Sequence, residues 1–275
     1  MAQNSFPSPP PGTTHTQISF PSPGILLVLI NRPRSLNSLS VDARKVLESI
    51  FQQFDQEPNC RVAVLSGVGK AFCVGADRNE WMENNKKRLR IKLPENGFGG
   101  LSFRSGRKPV IAAVNGPAYG GGCEIVANCD MVVESSTSTF SLPEVQRGVT
   151  PFGGALPRIM KAAGRQRATE MALTGRIVTA REFRNWGLCN FVVDEGVSVV
   201  DKAIEYAKMI AGNSPDAIIV TREGLKLGWE SLGVADASQI FLEGWSNRIY
   251  DGHNKQEGLD AFSQVRAPCW KDSKL

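Results

Sequence analysis

Lys108-Pro109-Val110-Ile111-Ala112-Ala113-Val114-Asn115-Gly116-Pro117-Ala118-Tyr119-Gly120-Gly121-Gly122-Cys123-Glu124 decides the architecture of this chain. Residues 109–115 form an apolar run of strand length, and a Gly-Pro turn closes it. An apolar run without alternation buries both of its faces, as an interior strand of a parallel sheet does. Three successive glycines are costly inside a regular element. They suit a helix start pressed against a ligand, where the first N–H groups lack intrahelical acceptors and the dipole is positive. Such an end can hold an oxygen that turns negative during reaction, an effect worth about 2.7–4 kcal/mol per donor. Glu124 lies one turn beyond Gly121 on the same helix face, which would set a carboxylate beside those donors. Taken alone, such a glycine run is more often a tight turn or close helix packing, and a first-turn acid is usually a solvated partner of the dipole.

Outward from this stretch, residues 24–30 and 61–66 read as further buried strands, and residues 130–134 and 139–141 as shorter ones. Between the first two, residues 40–54 have helical spacing, with Val41, Val46, Leu47, Ile50 and Phe54 on one face. The order strand, helix, strand, loop, strand, helix predicts an α/β domain of crossover units. From Gly153 onward helices dominate. Thr179-Ala180-Arg181-Glu182 is a capping box, and Gly187 ends the helix that it opens. One more strand is expected at 191–193, then helices over 198–211, 215–227, 236–248 and 254–265. The expected organisation is a Pro-rich flexible tail over 1–16 and an α/β core over 17–197. A helical region over 198–265 and a short tail over 266–275 would follow.

Composition removes several function classes. The chain has 275 residues, 41% hydrophobic and 21% charged, enough for a substantial core. No apolar run approaches the length that crosses a bilayer, so no membrane partner is expected. There are 2 histidines, and His15 falls in the Pro-rich tail, which leaves His253 alone for any Ser-His-Asp or Cys-His system. The 6 cysteines contain no C-x-x-C pair, so no structural metal site is expected. No signal peptide is read at the start, and free thiols in a reducing compartment are the expectation. A net charge of +5 suits an anionic partner without marking a dedicated nucleic-acid binder.

Two further stretches put small residues where a strand ends. They are Gly69-Lys70-Ala71-Phe72-Cys73-Val74-Gly75-Ala76-Asp77 and Phe140-Ser141-Leu142-Pro143-Glu144. Together with Asn31-Arg32-Pro33-Arg34-Ser35-Leu36-Asn37, the 108–124 stretch and Leu173-Thr174-Gly175-Arg176, they stand in an order that resembles the crotonase superfamily, the enoyl-CoA hydratase/isomerase family. The similarity runs over about residues 20–265. It implies the crotonase fold, a spiral of ββα units with a C-terminal helical region that packs subunits into a homotrimer or hexamer. It implies an acyl-CoA thioester as substrate, with coenzyme A only as part of that substrate and no separate cofactor or metal.

Carried over residue by residue, the resemblance places the oxyanion amides at Ala76 and Gly121, beside Gly120. Glu124 would deprotonate a water and Glu144 would deliver a proton to C2 of a 2-enoyl thioester. Lys70, Val74 and Ala76 would flank the adenine and pantetheine arm, and Arg34, Ser35 and Leu36 the pyrophosphate. For Arg34 an ordinary solvated arginine is the competing explanation. Two departures stand out: Arg78-Asn79 where many hydratases carry a lysine, and Phe152 where a small glycine is usual. Phe152 keeps a backbone donor and would reshape the acyl pocket; it argues against dienoyl-CoA isomerase activity.

A Δ3,Δ2-enoyl-CoA isomerase, a CoA-thioester hydrolase and a catalytically silent assembly partner remain as alternatives. Ser273-Lys274-Leu275 reads as a peroxisomal import tripeptide, recognised by an import receptor. With the Pro-rich start it resembles fungal members, some of which dehydrate branched 3-hydroxyacyl-CoAs for siderophores or toxins. Lys86-Lys87-Arg88-Leu89-Arg90-Ile91-Lys92 raises a second class, RNA binding. The run lacks interleaved aromatics, and a solvated helix face or a rim steering CoA phosphates explains it as well.

Overall fold

The computed structural model describes residues 15–87, 93–230 and 233–275. The expected flexible tail therefore falls almost wholly outside the described residues, as does the basic run from residue 88 to 92. In chain order the strands are β1 (Thr16–Ser22), β2 (Ile25–Ile30), β3 (Val62–Gly67), β4 (Val110–Val114), β5 (Ala118–Tyr119), β6 (Met131–Ser135), β7 (Thr139–Ser141), β8 (Val178–Thr179) and β9 (Phe191–Val193). The first six helices are α1 (Val41–Gln56), α2 (Arg78–Lys86), α3 (Gly121–Asn128), α4 (Ala155–Ala163), α5 (Arg165–Thr174) and α6 (Ala180–Asn185). The last four are α7 (Val199–Ala211), α8 (Pro215–Trp229), α9 (Val234–Tyr250) and α10 (His253–Ser263).

Strands β2, β3, β4, β6 and β9 pair in parallel, and β1 closes one edge antiparallel to β2. The β1 strand carries no continuous apolar run. Ile18 and Phe20 alternate with polar residues and pack on the core from a sheet edge, where Pro21 is tolerated. A small second sheet, β5-β7-β8, stands beside the first. Each turn of the chain runs from a long strand to a short one and then to helix: β4 to β5 to α3, then β6 to β7 to α4 and α5. That is the expected spiral of ββα units.

The two sheet faces bury different cores. One holds Leu26, Leu65, Ala112, Phe140 and Phe183 with the α1 residues Leu47, Ile50, Phe51 and Phe54. Helix α1 opens at Ser40, whose hydroxyl accepts from Ala43 N–H at 3.2 Å. Its buried face is turned slightly from the expected one, through Ala43 and Phe51, which leaves Val41 and Val46 half-buried. The other face holds Ile25, Val64, Ile111 and Val133 against Val199, Ala203, Ala207 and Ala211 of α7. Four small or branched residues at i, i+4 spacing let α7 lie close on the sheet. The boundary expected at 198 therefore cuts through a shared core, because α7 covers the second face of the α/β sheet. Only α8, α9 and α10 lie beyond it. On α9 the predicted stripe is incompletely covered: Ile240 is 46% exposed and Phe241, Trp245 and Ile249 are half-buried.

Candidate active site

The chain after β3 returns alongside two other segments. Cys73 bridges Ala118 and Leu39 bridges Ala76, both in parallel. Leu39 N–H donates to Gly75 O at 2.8 Å, and Leu39 O accepts from Asp77 N–H at 3.0 Å. The groups flanking Ala76 thus face Leu39, so the N–H of Ala76 itself points to the opposite side. The start of α3 is close by: a Cβ built on Gly75 would stand 3.4 Å from Gly121 N. Two amides from separate elements adjoin there, and neither finds an acceptor among the described residues. The arrangement leaves both free to grip one carbonyl oxygen.

Two glycines make this approach possible. Gly120 has φ 52° and ψ −124°, a backbone shape closed to ordinary side chains. A Cβ on Gly122 would lie 2.0 Å from the carbonyl oxygen of Cys73, so only glycine lets α3 press against the 73–77 segment.

Both glutamates converge on the same turn. Glu124, 5% exposed in the first turn of α3, accepts from Gly153 N–H through Oε1 at 2.5 Å. Burial and the neighbouring Glu144 carboxylate push its carboxyl up to about 7, against the Gly153 and Ala155 amides and Arg158, which favour its charged form. Glu144 opens the 3-10 turn Pro143–Arg147, and its Oε1 would meet a Cβ on Gly120 at 2.8 Å. Burial pushes this carboxyl up as well, and its Oε2 is buried with no hydrogen-bond partner among the described residues. The Glu144 carboxylate opposes ionisation of Glu124, as a like charge nearby does.

The remaining candidates form a neighbouring rim. Arg34 and Leu36 are exposed in and after the turn Pro33–Ser35, and the Ser35 hydroxyl donates to Arg32 O at 3.1 Å. Lys70 is exposed and Val74 half-buried. What brings these loops together is Asn37, a buried residue at φ 58°. Its amide donates to Val68 O at 3.0 Å and Ala71 O at 2.7 Å, and its oxygen accepts from Arg32 N–H at 2.8 Å. Arg32 in turn pairs with Asp77 at 2.9 Å, next to the Ala76 amide. Arg78 and Asn79 are exposed at the start of α2.

Phe152 is 72% exposed, two residues after Thr150 and directly before Gly153. The amide that reaches Glu124 belongs to the next residue, Gly153, which sequence reasoning passed over. Phe98 was missed too: its ring packs where a Gly121 side chain would otherwise stand, its Cδ1 2.5 Å from the built Cβ. The clustered Gly97, Gly99 and Gly100 around it were the available signal. Ser273 and Leu275 are half-buried and line a separate cavity with Pro58, Arg61 and Lys108, while Lys274 is exposed.

The chain is 46% identical to mevalonyl-coenzyme A hydratase SIDH of Beauveria bassiana, over 98% of this chain and 100% of that protein. It is 43% identical to mevalonyl-coenzyme A hydratase sidH of Aspergillus fumigatus, over 94% and 95% respectively. The crystal structure of enoyl-CoA hydratase from Bacillus anthracis superposes with a TM-score of 0.85 at 31% identity, covering 94% of this chain and 100% of that one. The profile of the enoyl-CoA hydratase/isomerase family matches residues 21–273. With its ββα spiral, two converging amides and paired glutamates, the chain belongs to the enoyl-CoA hydratase/isomerase family.

Proposed function

We propose that the protein is an acyl-CoA hydratase that reversibly adds water across the C2–C3 double bond of a 2-enoyl-CoA thioester. The observation that carries this reading is the convergence of the Ala76 and Gly121 amides with Glu124 and Glu144 on one turn. In the hydration direction ionised Glu124 takes a proton from water as the oxygen bonds to C3. The π electrons shift toward the thioester oxygen, which the two amides hold as an enolate-like anion, and protonated Glu144 delivers its proton to C2. Dehydration runs the same steps backward, and proton exchange with solvent resets the pair.

The substrate best supported is mevalonyl-CoA or a close analogue, a branched 3-hydroxyacyl thioester, because relatives at 43–46% identity carry that name. A panel of 2-enoyl- and 3-hydroxyacyl-CoA thioesters, followed by the absorbance of the conjugated double bond, tests both levels. Highest kcat/KM with mevalonyl-CoA and its dehydrated product is expected. Turnover of straight-chain substrates alone would remove the branched assignment, and no absorbance change with any thioester would remove the hydratase. Positional isomerisation of 3-enoyl-CoA without hydration would establish the isomerase instead.

Two further parts of the reading are assembly and address. Val234 at 85%, Phe262 at 86% and Val265 at 93% exposure support α9 and α10 as a subunit interface in a homotrimer or hexamer. A monomer mass by light scattering would overturn that. Ser273-Lys274-Leu275 supports delivery to the peroxisome through an import receptor, and a diffuse cytosolic fluorescent fusion would overturn it.

A further inference from the structure

The guanidinium of Arg158 occupies an electrostatically expensive place. It belongs to the first turn and a half of α4, the end of a helix where the dipole disfavours a cation. It is half-buried as well, and desolvation pulls its pKa down. The side chain folds back to the helix start. Its Nη1 donates to Ser102 O at 2.9 Å and Gly154 O at 3.2 Å, with the Phe103 ring centroid 6.0 Å away. Each carbonyl belongs to a different half of the site. Gly154 follows the residue whose amide holds Glu124. Ser102 closes the turn that begins at Phe98, its Oγ accepting from Phe98 N–H at 2.8 Å, and the Phe98 ring covers Gly121. One side chain therefore ties the support of the acid to the wall of the oxyanion amide.

We propose that Arg158 is a positioning residue, which locks the Gly153 amide onto Glu124 and sets a positive charge against that carboxylate. The role rests on the hydratase reading only in what Glu124 does next. The groups facing Glu124 leave Arg158 as its cation. From the 3-10 turn comes Glu144, whose charge opposes ionisation, with Arg147 acting on Glu144 in turn. On α3 the buried Cys123 thiol is pushed far up and stays neutral. On β5 the Tyr119 hydroxyl is engaged with Thr139 Oγ1 at 2.9 Å. Glu230, at the end of α8, acts on Arg158 from its other side. A half-buried cation at the unfavourable end of a helix is stabilised by an anion nearby.

The test compares R158Q, which keeps a neutral donor, with R158K, which keeps the charge without the fork, both in the full chain. In R158Q kcat is expected to fall about 10–100-fold with KM little changed, an orientation loss. The acid limb of its pH profile should move up by about 0.5–1 unit, as loss of a nearby cation requires. R158K should hold the limb where it is and lose less kcat. An unchanged kcat and limb in R158Q, or a limb that moves equally in both variants, overturns the proposal. Should R158Q not fold, R158K still decides, since an upward shift with the charge retained contradicts the assigned role. Infrared difference titration against E124Q follows the Glu124 carboxyl without substrate. If the wild type turns over no thioester, the hydratase reading fails; the Arg158 proposal then falls only if this titration is the same in R158Q and wild type.

Discussion

Glu144→Gln is expected to lower kcat about 10²–10⁴-fold, the usual span for losing a positioned acid–base group. Affinity for the CoA thioester should stay nearly unchanged. The two expectations separate because Glu144 adjoins Gly120, whereas the expected CoA contacts are Arg34, Ser35, Leu36 and Lys70. Glutamine keeps the size and can still donate weakly, but it carries no transferable proton for C2. Glu124→Gln should produce a comparable loss, since the water would then lack its base. Steady-state kinetics with a CoA-binding measurement checks this, and near-normal turnover in E144Q contradicts the assigned role.

The second large effect concerns stability and lies away from the chemistry. Glu134, fully buried on β6, stands between Val114 of β4 and Val192 of β9. Among the described residues its carboxylate oxygens make no hydrogen bond of good geometry, and the polar group nearest to serving them is the Cys189 thiol. Burial pushes its carboxyl up to about 8, more than the Cys189 thiol and Arg184 offset. Because the folded pKa exceeds the unfolded value of 4.5, the folded state keeps a proton that the unfolded chain releases between those limits. Stability from this residue is therefore complete below about pH 4.5 and lost as pH rises toward 8.

The slope is at most about 1.4 kcal/mol per pH unit, or about 3 kcal/mol by pH 7. Glu134→Gln removes that dependence but leaves an amide to be satisfied. E134Q should exceed the wild type by about 2 kcal/mol at pH 8, with the gap closing toward pH 5. Glu124 drives the wild type in the same direction, so the difference between the two urea-unfolding curves isolates Glu134. Parallel curves across pH 5–8 would contradict the account.

Much of the site was legible because its parts have local signatures. The glycine triplet, the Gly75-Ala76 stretch and Pro143-Glu144 each announce a strand end with exposed main chain, and the structure brings all three together. Asn37, Phe98, Gly153 and Arg158 were illegible as functional parts. Their contribution is a contact with a segment far along the chain: Asn37 with residues 68–71, and Arg158 with Ser102. Glu134 was likewise indistinguishable from a solvated strand residue. Its burial depends on which neighbours β6 acquires in the sheet.

By itself the amino-acid order determined the elements and the inventory of reactive groups. Apolar runs, capping residues and glycine turns act within a few residues and do not wait for the rest of the chain. Tertiary structure alone decided the pairings and the charge states. It set the start of α3 against the 73–77 segment, Glu144 against Gly120, α7 on the far face of the sheet, and the desolvation that pushes the Glu124 and Glu134 carboxyls up. Those outcomes follow from desolvation and Coulomb interaction between groups that become neighbours only when the sheet assembles.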